Sequence, residues 1–167
     1  GLKPGDRVAL MLPNSPQFVI AFYGTLLAGG VGVNVNPLYT PRELRHQLAD
    51  AGAETLVILD HLLPRYLEVE KEVPVKRVAV TGIKDFLPFP KNLLYPLKAK
   101  RDGLPLGFPK REGFHAFAEL LKRPPAEPHV PDPEDLALLQ YTGGTTGLSK
   151  GAMLTHKNLV ANVLQID

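Results

Sequence analysis

VGVNVNPLYTPRELRHQLADAGAETLVIL, residues 31–59, holds one complete unit of the fold. Val31–Val35 and Thr55–Leu59 are short runs rich in branched apolar residues, the composition of strands. Between them Thr40-Pro41-Arg42-Glu43 forms a capping box with proline at the first helical position, where its missing N–H costs nothing. Leu44 and Leu48 then fall on one helix face, and Gly52 supplies the stop. The stretch reads strand, helix, strand.

The same pattern repeats on either side. Val8–Leu12 precedes it and Arg77–Val80 follows, and the strand starts lie about two dozen residues apart, room for one helix each. The runs are nearly continuous rather than alternating, so the strands are expected to be covered on both faces of a parallel sheet. Ser15 caps a helix that begins at Pro16, continues through Phe18, Phe22 and Leu26, and stops at Gly29. A third helix, Asp60–Glu72, is interrupted by Pro64. The expected class is α/β, a partial doubly wound sheet of βα units, with residues 1–82 forming βαβαβαβ through right-handed crossovers.

Beyond this region the chain changes character. Leu87-Pro88-Phe89-Pro90 and Leu104–Pro109 resist regular structure, because proline fixes φ and removes a donor. Between them Lys91, Lys98, Lys100 and Arg101 interleave with Leu93, Leu94, Tyr95 and Leu97. Residues 83–112 therefore read either as a solvated basic excursion or as a peripheral membrane contact. Phe114, Phe117, Leu120 and Leu121 are spaced as a short amphipathic helix closing a region 83–123. Residues 124–135 are a proline-rich linker, and residues 136–167 carry strand, glycine-rich loop, strand and the start of a helix. All four regions are expected to form one incomplete domain.

Composition excludes several classes. A net charge of +2 over 167 residues gives no case for nucleic acid. The absence of cysteine removes disulfides, thiolate metal sites and a cysteine nucleophile from this chain, and fits a reducing, cytoplasmic compartment. The apolar run Phe18–Val33 is broken by Gly24, Gly29 and Gly30 and is neither a membrane span nor a signal peptide. His46, His61, His115, His129 and His156 are not spaced as metal ligands, and His156 sits at a helix start after Thr155. The opening turn Gly1–Asp6 and a last helix without a stop signal lead us to expect an internal fragment.

Chemistry concentrates in Tyr141-Thr142-Gly143-Gly144-Thr145-Thr146-Gly147-Leu148-Ser149-Lys150-Gly151. Glycines let backbone N–H groups approach a ligand, the hydroxyls of Thr142, Thr145, Thr146 and Ser149 add donors, and Lys150 adds a point charge. These are the needs of a polyphosphate. A Walker loop does not fit, because Ser149 precedes Lys150 and a strand follows instead of a helix. Tyr141 stands beside the loop, either touching substrate or buried at the end of a core strand.

Residues 141–156, YTGGTTGLSKGAMLTH, closely resemble the phosphate-binding signature of the adenylate-forming (AMP-binding) superfamily. Ser149 stands where proline is common in that pattern. Lys3–Val8, Leu12–Ser15 and Asn36–Thr40 resemble segments that precede the loop there, and Phe86–Lys91 resembles the bacterial long-chain fatty-acid–CoA ligase branch. The resemblance implies the large N-terminal domain of an acyl-CoA synthetase. It also implies a two-step reaction in which ATP and a fatty acid give an acyl-adenylate, which CoA then converts to a thioester.

Within that scheme Thr142, Gly143, Gly144, Thr145, Thr146, Gly147, Ser149 and Lys150 would bind the ATP phosphates, and Thr142 would offer an oxygen to Mg2+. The adenine and fatty-acid contacts and the catalytic lysine would lie outside this chain, leaving the fragment inactive alone. A homodimer is implied by resemblance. The alternatives are an adenylating enzyme for an aryl or amino acid, or a non-catalytic nucleotide-binding module.

Overall fold

A computed structural model describes residues 1–142 and 149–165. Seven strands form one sheet in the order β5-β4-β3-β1-β2-β6-β7. These are β1 (Arg7–Met11), β2 (Val31–Asn34), β3 (Thr55–Leu59), β4 (Arg77–Thr81), β5 (Phe114–Ala116), β6 (Leu136–Thr142) and β7 (Lys150–Thr155). Every pairing is parallel except the last, where β7 runs back against β6. The expected βαβαβαβ core is present over β1 to β4, linked by α1 (Pro16–Leu27), α2 (Pro41–Ala51) and α3 (Leu63–Val69).

The continuous apolar runs have the burial they require. All five residues of β3 are buried, and Ala9, Leu10 and Met11 of β1 are fully buried. Side chains alternate across a strand, so such burial needs cover on both faces. On one face, α1 packs on β1 and β2 and lines a groove with α5 (Phe117–Leu120) over Val8, Val57 and Ala79. On the other, α2 and α3 pack against each other, with Leu44, Leu48, Leu63 and Tyr66 in the core.

The helix ends follow their caps. Ser15 Oγ accepts from Phe18 N at 3.4 Å, and Thr40 and Glu43 complete a capping box, with Thr40 N donating to Glu43 Oε2 at 2.8 Å. Pro64 falls in the first turn of α3, where a proline is harmless, and a 3-10 turn over Asp60–Leu62 leads into it. Gly29 and Gly52 take positive φ just after α1 and α2. The ring of His129 lies 2.9 Å from where a side-chain carbon on Gly29 would stand. His129 N also donates to Leu27 O at 2.7 Å, so one point of the proline-rich linker is docked on the end of α1.

Two expectations are corrected. Residues 83–112 are not irregular throughout, because Ile83–Phe86 forms a 3-10 turn and Lys91–Arg101 forms an 11-residue helix, α4, with Pro96 inside it. Pro90 sits at the N-cap, and one internal proline removes a single N–H from a helix whose other bonds remain. The second concerns Phe114–Leu121, which is not all helix. Phe114–Ala116 extends to pair with Val78–Val80 of β4, and only Phe117–Leu120 is helical. The last helix, α6 (His156–Leu164), begins at Thr155 as its capping chemistry indicates.

Leu56 of β3 is fully buried, whereas Leu38 is 80% exposed in the β2–α2 loop. Leu56→Ala is expected to cost about 2–5 kcal/mol in a urea titration. Leu38→Ala is expected to change stability by no more than about 0.5 kcal/mol.

Candidate functional site

At the carboxyl end of the sheet, β1 passes its chain to α1 on one face, while the adjacent β2 passes its chain to α2 on the other. The departing loops part there, and that is where open α/β sheets receive ligands. A crevice of about 440 Å3 opens at this point, lined by Leu12, Asn14, Phe18, Asn36, Gln140 and Tyr141 among others.

A polar ladder crosses its floor. Asn34 Nδ2 of β2 donates to Gln140 Oε1 of β6 at 2.8 Å, and Gln47 Nε2 of α2 donates to Asn34 O at 2.7 Å. Asn34 Oδ1 and Gln47 Oε1 are buried without a donor among the described residues. An acceptor left so costs about 1–3 kcal/mol, and such groups recur where a site must meet a polar ligand.

Strand β6 ends at the same rim, and the glycine-rich segment joins it to β7 in the sequence. Thr142 and Lys150 face each other across the hairpin, both exposed. The expected phosphate-binding residues Gly143, Gly144, Thr145, Thr146 and Gly147 lie outside the described residues, so the structure places only Thr142, Ser149 and Lys150 of that set. It brings these three together at the base of the loop.

Helix α2 braces that base at two points one turn apart. The His46 ring nitrogen Nε2 lies 3.4 Å from Ser149 O, and the Tyr141 hydroxyl donates to Asp50 Oδ2 at 2.5 Å. Positions i and i+4 share a helix face, so one face of α2 reaches both roots of the loop. Tyr141 also lies over Gly151, its partner in the hairpin. A side-chain carbon on Gly151 would sit 3.0 Å from the tyrosine ring. Of the two roles open to Tyr141, the structure shows burial at the end of a core strand, with 8% of its surface exposed.

Burial, then the hydrogen bond to Asp50 and its charge, push the Tyr141 phenol far above its ordinary range, with Arg7 opposing. The neutral phenol is therefore the form that the fold holds.

The sequence reading missed His46, Asp50, Asn34 and Gln47. Gln47 carried a usable signal, being an amide between Leu44 and Leu48 on the buried face of an amphipathic helix. His46 and Asp50 carried none until the register of β6 against β7 was known. Among the described residues no group of three histidine or acidic side chains is arranged to hold a metal ion.

Residues 1–167 match the family described as AMP-binding enzyme. A long-chain-fatty-acid–CoA ligase of Bacillus subtilis is 48% identical over 166 residues, covering 97% of this chain and 30% of that protein. Its counterpart in Escherichia coli O157:H7 is 44% identical over 174 residues, covering 100% of this chain and 30% of that protein. The crystal structure of a long-chain-fatty-acid–CoA ligase from Archaeoglobus fulgidus matches with a TM-score of 0.75 at 32% identity, covering 99% of this chain and 28% of that one. The chain thus spans 30% of the length of these curated relatives.

Removing the Tyr141 hydroxyl takes a donor from the exposed Asp50 carboxylate, which water can replace, and Tyr141→Phe is expected to cost about 0.5–1.5 kcal/mol at pH 8. The folded phenol holds its proton more tightly than the unfolded one, so its contribution is present below about pH 10 and is lost as pH rises beyond. The gap between wild type and Tyr141→Phe should therefore narrow in urea titrations above pH 10. A gap that stays constant would show that the bond to Asp50 contributes nothing.

Proposed function

The chain belongs to the AMP-binding enzyme family, and from that premise we propose that it is the ATP-phosphate-binding part of a long-chain fatty-acid–CoA ligase. The observation that carries the proposal is the hairpin base. Thr142 and Lys150 are paired across a glycine-rich turn at the rim where the sheet receives ligands, and α2 holds both roots. Identity to ligases so named across nearly the whole of this chain supports the fatty-acid substrate over an aryl or amino acid.

In the first step a fatty-acid carboxylate oxygen attacks the α-phosphorus of ATP, and the bond to the β-phosphate oxygen breaks, releasing pyrophosphate. In the second the thiol of CoA adds to the acyl carbon, the bond to the AMP oxygen breaks, and the thiol proton is given up. The loop acts on the first step. Thr142, Gly143, Gly144, Thr145, Thr146, Gly147 and Ser149 supply backbone and hydroxyl donors to the β- and γ-phosphates, and Lys150 neutralises charge that grows as pyrophosphate departs. The preformed hairpin base lowers the cost of ordering these donors around the nucleotide.

Magnesium is part of the same proposal. Thr142 provides one exposed hydroxyl at the loop root, a hard oxygen suited to the ion, which would screen the phosphate charge. Cytoplasmic location and a homodimer complete the reading. No described helix is long and apolar enough to cross a membrane.

The test is fatty-acid-dependent exchange of pyrophosphate into ATP by the intact ligase that carries this chain. Exchange with long-chain acids is expected, falling on the order of a hundredfold in Lys150→Ala. Exchange with aryl or amino acids alone would move the substrate class. None with any acid, despite bound ATP, would leave a non-catalytic nucleotide-binding module.

A further inference from the structure

We propose that α4 is an interfacial helix that seats the protein on an anionic lipid surface. At 3.6 residues per turn, Leu93, Leu94 and Leu97 share one face of α4, and Asn92, Tyr95, Pro96 and Ala99 share the opposite one. The second face is the one against the body, where Ala99 is fully buried and Asn92, Tyr95 and Pro96 are half-buried. The first face points away from it, with Leu93, Leu94 and Leu97 exposed by 65%, 57% and 69% and Phe89, just before the helix, by 79%. An amphipathic helix ordinarily turns its leucines inward. Here they are turned out.

Charge says what covers them. Lys91 and Lys98 flank the leucine face on one side and Lys100 on the other, with Arg101 at the end of the helix, and residues 91–101 include no acid. Arg101 pairs with Asp102, while Lys91, Lys98 and Lys100 have no carboxylate partner among the described residues. An apolar strip edged with cations matches the headgroup boundary of an acidic bilayer, where leucines enter the acyl region and lysines stay among the phosphates. A hydrophobic protein groove would account for the leucines and leave three unpaired lysines at its rim.

The segment is also built as an attachment. It leaves the sheet after β4 and returns at β5, held to the body by Gly107 N donating to Asp60 Oδ2 at 3.5 Å and by the buried Ala99, while the outer face of α4 takes no part in the core's packing. The surface is a property of α4 and goes beyond the ligase reading. If that reading also holds, the helix brings the enzyme to the phase in which long-chain acids dissolve.

The test uses the intact ligase and vesicles of phosphatidylcholine, alone or mixed with phosphatidylglycerol. Co-sedimentation is expected with the mixed vesicles and is expected to weaken with added salt. Lys98→Glu and Lys100→Glu should each weaken it by about fivefold or more at low salt. Leu93→Ser combined with Leu97→Ser should weaken it by at least about tenfold.

Both sets of variants should keep wild-type pyrophosphate exchange with a short, water-soluble acid, which separates lost lipid binding from lost folding. Leu97→Trp gives a second readout, its emission moving to the blue when mixed vesicles are added. Absence of sedimentation, sedimentation unchanged by the leucine variants, or a tryptophan already shielded before lipid is added would each overturn the proposal. The last outcome would place another part of the ligase over α4. Lipid binding without exchange by the wild-type enzyme would sustain this inference while removing the ligase reading.

Discussion

Two central strands that cannot show either face to water set the terms for everything else in this chain. Ala9, Leu10 and Met11 of β1 and Leu56 and Ile58 of β3 are all fully buried, and the cost of leaving such surface in water is of order 25 cal/mol per Å2. Helices must lie on both sides, and here the connections that follow β1 and β2 leave the sheet toward opposite faces. That alternation opens the crevice above β1 and β2, and it places α2 where one face can reach across to the hairpin of β6 and β7. The site follows from the way the core is covered.

The elements legible in the sequence are those whose causes are local. Ser15, Thr40 and Thr155 each accept a backbone N–H three residues on, so a residue and its near neighbours were enough to place three helix starts. Buried parallel strands announced themselves as unbroken apolar runs. Where local signals misled, a longer-range partner had decided the outcome. Phe114, Phe117 and Leu120 have helical spacing, but β4 offers the edge at Val78–Val80, and pairing there extends Phe114–Ala116. In α4, a proline at the start and one inside hid a helix that is held to the body along only one side.

The candidate site divides the same way. Its loop was legible because glycine, hydroxyl and lysine in a short run have few other uses. Its supports were not, because Asp50 and Tyr141 are 91 residues apart and His46 and Ser149 are 103 apart. Neither pair has a pattern until the sheet order brings β6 beside β2. The sequence thus named the groups proposed to meet phosphate and gave no sign of what holds Thr142, Ser149 and Lys150 in place.

The docking of His129 on Gly29 divides the proline-rich segment into two stretches of unequal tolerance. Ahead of it, between Arg123 and Glu127, the chain is exposed and has no backbone hydrogen bond beyond the end of α5, so a residue gained or lost there only alters the slack of a strap. Behind it, His129 is moored to Leu27, and Leu136 opens a strand whose register with β2 is already fixed at Gly32 and Leu138. An indel in that second stretch would slide β6 against its neighbour and turn Tyr141 away from Asp50. The root of the glycine-rich loop is therefore kept in phase by a histidine at the opposite end of the sheet, which measures out the chain that feeds it.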